Sequence, residues 1–140
     1  MILVDANVLL YAVNEQAEHH ERSRRWLDSA LSGQGTVGFA WIAILAFVRL
    51  STKPGLFPHP LEMSQALQVV DDWLSSPAAV VLSPGSGHLV TLRELLPDGR
   101  TAGNIVNDAH LAALAVEHGC EVVTFDRDFA RFSEIRARVP

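Results

Sequence analysis

The sequence predicts a three-layer α/β/α domain built on a short parallel sheet of four or five strands. Two observations carry this. Four β-favouring runs, at residues 2–4, 36–39, 80–82 and 120–125, alternate with longer segments whose apolar residues recur at helical spacing. Strands separated by helices pair in parallel through right-handed crossovers, with helices covering both faces of the sheet. A length of 140 residues with 49% apolar content suits one domain, 1–140, with its own core.

The first run, Ile2-Leu3-Val4, meets Asp5 and is followed by residues 6–14, which can wind back as a helix and leave Asp5 at the strand's carboxyl end. Ser23, Trp26, Leu27, Ala30 and Leu31 then share one face of a surface helix, with Glu21, Arg22, Arg24, Arg25 and Asp28 on the others; Gly33 and Gly35 end it. Residues 36–39 form the second strand. Residues 41–50 are apolar on every side, as in a helix buried against the sheet and a second body, and Lys53-Pro54-Gly55 stops them. Met63, Ala66, Leu67, Val70 and Leu74 make the next amphipathic stripe, closed by Pro77, and Val80-Val81-Leu82 is the third strand. Ser86 can cap a helix carrying Leu89, Leu92 and Leu96 inward as far as Pro97-Asp98-Gly99. Asn104 can cap a helix running to His118, with Gly119 at its end. Residues 120–125 are the fourth strand and 126–132 a last helical turn or two. Residues 52–60 and 97–103 are loops.

Cys120 stands alone, so there is no disulfide framework, and it reads as a small buried hydrophobe. The amino terminus lacks a basic stretch and its apolar run is broken by Asp5 and Asn7, so no signal peptide is expected; the apolar run at 37–48 is too short for a bilayer. These readings predict a cytoplasmic protein without membrane association. A net charge of −5 argues against holding nucleic acid by bulk electrostatics alone.

Part of that acidity falls where chemistry is expected. Asp5 ends the first strand, Asp126 follows the fourth with Asp128 two residues on, and Asp108 sits in the first turn of the helix that begins after Asn104. In a parallel sheet the carboxyl ends of strands and the amino ends of the following helices share one edge, so the three sites can converge there. Taken alone, Asp5 reads first as an N-cap, while Asp108 is equally explained by the helix dipole and Asp126 and Asp128 by capping. Converging carboxylates in water-poor surroundings are costly without a cation, and Mg²⁺ or Mn²⁺ suits such oxygen donors. A bound divalent ion can polarise a phosphodiester and lower the pKa of a bound water. Thr124 and Asn7 can hydrogen-bond a carboxylate or phosphate from the same edge. The histidines lack a clear zinc spacing and are read as non-ligands. Arg22, Arg24 and Arg25, and Arg127, Arg131, Arg136 and Arg138 near the tail, read first as solvated charge, with phosphate steering the alternative for the tail group.

Taken together, Leu3-Val4-Asp5-Ala6-Asn7-Val8-Leu9, Phe47-Val48-Arg49-Leu50, residues 107–115 (Asn-Asp-Ala-His-Leu-Ala-Ala-Leu-Ala) and Thr124-Phe125-Asp126-Arg127-Asp128-Phe129 resemble a PIN domain, specifically a VapC-type toxin ribonuclease of a bacterial toxin–antitoxin pair. The resemblance implies a Mg²⁺-dependent endoribonuclease, usually a homodimer, inhibited by a cognate antitoxin that inserts a segment near the active site. By the family pattern Asp5, Asp108 and Asp126 are catalytic metal ligands, Asp128 is an additional acid, and Asn7, Thr124 and Arg49 support them. One departure stands out. The family commonly places a Glu in a Glu-Leu/Phe-x-Arg segment, and here that segment is Ala46-Phe47-Val48-Arg49. No Asp or Glu lies between Asp28 and Glu62. The departure implies a weaker metal site completed by water, or a PIN-like module that binds RNA or its antitoxin without turnover.

Overall fold

The computed structural model describes residues 1–99 and 103–140. Its sheet is fully parallel, in the order β3-β2-β1-β4-β5, with β1 (Ile2–Val4), β2 (Val37–Ala40), β3 (Ala79–Leu82), β4 (Glu121–Val123) and β5 (Ala137–Arg138). The chain lays β1, β2 and β3 outward in one direction, then crosses back to set β4 against the other side of β1. The order therefore reverses between β1 and β4, and the crevice outside the carboxyl ends at such a reversal is where ligands bind in open parallel sheets.

The period-2 alternation of side chains divides the core into two bodies. Leu3 and Val122 face one side, with Leu95 of α5 (His88–Leu95) and the Ala-rich stripe of α6 (Asn104–His118). Val4 and Val123 face the other, with Leu9 of α1 (Ala6–Val13), Leu27 of α2 (His20–Ser32), Ala43 and Phe47 of α3 (Trp41–Ser51) and Val70 of α4 (Met63–Leu74). The three layers expected from the alternation are present. Packing at the centre is close at Gly38: a Cβ there would lie 2.7 Å from Leu82 Cδ1, so a larger residue requires the Leu82 side chain to shift. Gly119, with φ 65°, supplies the left-handed C-cap that turns α6 into β4.

Several details differ from the sequence reading. The N-cap positions of α5 and α6 are held by Gly87 and Gly103 without a side-chain hydrogen bond, so Ser86 and Asn104 do not cap; Asn104 is already helical. Asp108 is the fifth residue of α6 and hence in its second turn. Leu89 points outward, as do Met63 and Leu67, because α5 and α4 meet the sheet over a narrower stripe than an apolar count suggests. β5 is new: two exposed residues carry no periodic signal, and the strand exists through its ladder to Val122 and Val123. Of the loop read over 97–103, residues 100–102 lie outside the described residues. No helix among the described residues is long and apolar enough to cross a membrane.

Candidate active site

Three elements deliver carboxylates to the β1–β4 edge. Asp5 leaves β1 in extended conformation and caps α1, its Oδ1 accepting from Ala6 N at 2.7 Å. Its Oδ2 accepts from the Thr124 hydroxyl at 2.7 Å and from Asn7 Nδ2 at 2.9 Å. Thr124, buried just beyond β4, is saturated: it donates to Asp5 and accepts from Asn7 Nδ2 at 3.0 Å and from Asp126 N at 2.9 Å. Asn7 completes the knot, its Oδ1 accepting from Phe125 N at 3.1 Å. The N-cap and ligand readings of Asp5 are thus compatible, since capping uses Oδ1 and leaves this oxygen with lone-pair capacity.

Asp126 caps the 3₁₀ turn Arg127–Arg131, accepting from Asp128 N at 2.8 Å. Asp108 projects from α6. A cleft of about 270 Å³ is lined by Asp5, Asp108 and Asp126 together with Ala46, Arg49, Asn104 and Asn107. Asp5, Asp108, Asp126 and Arg49 therefore share one cavity, with Asn7 and Thr124 holding it from behind. Asp128 is set apart, two-thirds exposed and beside Arg131 at 3.7 Å. Ala46 lines the cleft where the family commonly offers a Glu, and contributes no oxygen. From sequence Asn104 reads as a cap, Asn107 as part of a family segment and Arg131 as tail charge; none of the three is expected beside the acidic cleft, where Asn104 and Asn107 line it and Arg131 acts on Asp108.

The cleft's electrostatics follow from crowding. Burial raises the Asp108 carboxyl to about 6, helped by the charges of Asp126 and Asp5 and opposed by Arg131. Burial also raises Asp5, against the hydrogen bonds from Thr124 and Ala6. The donors are all hard oxygens, which fits Mg²⁺ or Mn²⁺ in type. Among the described residues no three His, Cys, Asp or Glu side chains form a ready metal-holding group. The two facts agree for a hydrated ion, because Mg²⁺ is commonly held by one or two carboxylates and retains several waters.

Away from this edge, a second polar group ties α5 to α6. His88 Nδ1 lies 2.7 Å from Glu117 Oε2 and His88 Nε2 lies 2.9 Å from His110 Nδ1. Burial and the neighbouring His88 lower the His110 pKa.

Comparison with known proteins agrees with the geometry. The PIN domain family matches residues 2–135. The chain is 57% identical over 136 residues to Ribonuclease VapC37 of Mycobacterium tuberculosis, covering 97% of this chain and 94% of that one. It is 38% identical to Ribonuclease VapC25 of the same organism, covering 97% and 96%. Among solved structures, M. tuberculosis VapC20, described as a sarcin-ricin loop cleaving toxin, superposes with a TM-score of 0.68 at 20% identity over 97% of this chain and 99% of its own. VapBC2 from Rickettsia felis superposes with a TM-score of 0.69 at 19% identity, covering 99% and 98%. With this sheet order, this acidic edge and these matches along nearly its whole length, the chain belongs to the PIN domain family, among the VapC ribonucleases.

Proposed function

We propose that the chain, acting as one PIN-like unit over residues 1–140, is a divalent-metal-dependent endoribonuclease toxin, homodimeric and neutralised by a cognate antitoxin protein. The observation that carries this reading is the cleft lined by Asp5, Asp108 and Asp126, where burial, with the charges of Asp126 and Asp5 added, lifts Asp108 to about 6. Relatives named ribonucleases at 57% and 38% identity support the reaction class. Family membership supports the antitoxin.

Of Asp5, Asp108 and Asp126, one or two would hold the ion, Mg²⁺ or Mn²⁺, directly and the rest through water, with water also filling the place that Ala46 leaves open. Such an ion, when bound, polarises a phosphodiester and lowers the pKa of a bound water. The chain's own part is positioning. Thr124 and Asn7 fix the Asp5 carboxylate in one orientation, and the Thr124 hydroxyl fixes the backbone of Asp126. Arg49 lines the same cleft and offers a cation to an RNA phosphate.

The test is RNA cleavage by the purified chain with Mg²⁺, with Mn²⁺ and with chelator. Cleavage that requires metal and disappears in Asp5→Asn is the expected result; metal-independent cleavage, or full activity in Asp5→Asn, overturns the assignment. A second reading draws on Ala46: a PIN-like module that binds RNA or antitoxin without turnover. It predicts no cleavage at any metal concentration alongside measurable RNA binding.

A further inference from the structure

Asp126 is shared by two cavities. On one side is the acidic cleft; on the other, between β4, the 3₁₀ turn and β5, is a separate cavity of about 490 Å³, within the range of small-ligand sites. Its floor is apolar, with Phe129 and Phe132 buried beneath it and Ile135, Ala137 and Val139 along its sides. Its rim carries Arg127, Arg136 and Arg138. In a chain of net charge −5, three arginines around one apolar hollow are a local reversal of sign.

The arginines retain donors for a ligand. Arg136 is almost fully exposed and only 3.7 Å from Glu121, Arg138 meets Glu121 through Nε, and Arg127 makes no ion pair among the described residues. The Phe125 ring is turned away from the hollow, toward α1 and α2, where it meets Tyr11 at 5.4 Å, His19 at 4.3 Å and Arg22 at 6.0 Å. An apolar hollow with a cationic rim matches a nucleotide: a flat base against the apolar floor and a phosphate above.

From this we infer that the cavity takes one nucleotide of single-stranded RNA, the neighbour of the phosphate entering the acidic cleft, with its base against the apolar wall and its phosphate at Arg127, Arg136 and Arg138. The inference rests on the ribonuclease reading and deepens it. It specifies a single strand because a base reaches such a hollow only when it is unstacked. The shared Asp126 makes the two nucleotide positions adjacent. The solvated-charge reading of the tail arginines gives way to the phosphate-steering one.

The test measures binding of a labelled mixed-sequence single-stranded RNA to the whole chain in chelator, over a salt series, and then cleavage with Mg²⁺. Replacing Arg127, Arg136 and Arg138 together by Ala is expected to weaken binding roughly tenfold or more and, for one phosphate released, to reduce the salt slope by about 0.7. KM should rise with kcat largely kept. Arg93→Ala, on α5 and remote from both cavities, should change neither quantity. Ser133→Trp fills the hollow and keeps every arginine, so it should weaken binding of intact RNA while leaving the affinity for an abasic strand unchanged. A wild-type chain that cleaves RNA, with the triple variant and Ser133→Trp binding as tightly as it does, overturns the nucleotide site alone. A wild-type chain that neither binds nor cleaves RNA overturns the ribonuclease reading and this site with it.

Discussion

The Thr124 hydroxyl is the hinge of the site at the scale of single residues. Thr124→Val leaves an Asp5 oxygen, an Asn7 amide and the Asp126 N–H each short of a partner, and should cost about 2 kcal/mol or more of stability in urea denaturation. Thr124→Ser keeps the hydroxyl and should recover most of the loss and of any cleavage. Asp108 works in the opposite direction. Its folded pKa of about 6 stands above the model-peptide value of 3.8, so the native state binds more protons than the unfolded state between those values. The charged carboxylate therefore lowers stability fully above pH 6, and the penalty is gone below pH 4. Without metal, Asp108→Asn should melt higher than wild type at pH 7.5, and the advantage should vanish as pH falls through 6 toward 4; a constant advantage at all pH values contradicts this. The acids themselves were legible in the sequence because each follows a strand or enters a helix at one predicted edge. The Thr124–Asn7 knot was legible only as polar residues in the right neighbourhood, since who donates to whom depends on distances that spacing does not carry. The pairing of His88 with Glu117 and His110 left no motif at all, because it joins two helices across residues 29 and 22 positions apart.

Among the elements, α2 contains a small mismatch with a measurable consequence. Ser23 is fully buried and its hydroxyl has no hydrogen-bond partner among the described residues. Removing an unpaired buried hydroxyl is neutral or favourable, and Ala has the better helix propensity. Ser23→Ala should therefore leave the unfolding free energy unchanged or raise it by about 1 kcal/mol; a loss of that size would mean the hydroxyl has a partner. Helix extents were readable from periodicity because Met63–Leu74 and Trp41–Ser51 are bounded by proline and glycine. Which apolar residues face inward was less readable. Leu67 and Leu89 lie at plausible core positions in sequence yet reach solvent, because a helix on a five-stranded sheet buries only the stripe its crossing direction allows. Helix starts were misread at Ser86 and Asn104, where glycine takes the cap position and no side chain contributes.

For the whole molecule, the apolar surface around α3 is the main open feature. Trp41 and Leu45 are more than half exposed on a helix otherwise packed in the core, as are Met63 and Leu67 on the neighbouring α4. The second body expected against α3 is supplied within the chain by α1 and α4, and the strip left open, Trp41 and Leu45 with Met63 and Leu67, is the face a homodimer would bury. Light scattering should give the mass of two chains for wild type and one for Leu45→Glu; a monomeric wild type removes the dimer from the proposal. The parallel order was legible from alternation alone, whereas the reversal between β1 and β4 was not, because nothing in a strand's own residues names its neighbour. That reversal also has a bearing on synthesis. The Asp5–Thr124 hydrogen bond joins residues 119 positions apart, so the first strand waits for almost the entire chain before its central partner exists. Translation at about 5–20 residues per second makes that wait several seconds. A nascent chain that ends before β4 carries Asp5 and Asp108 but neither Thr124 nor Asp126, so the acidic edge is assembled only as the last residues arrive.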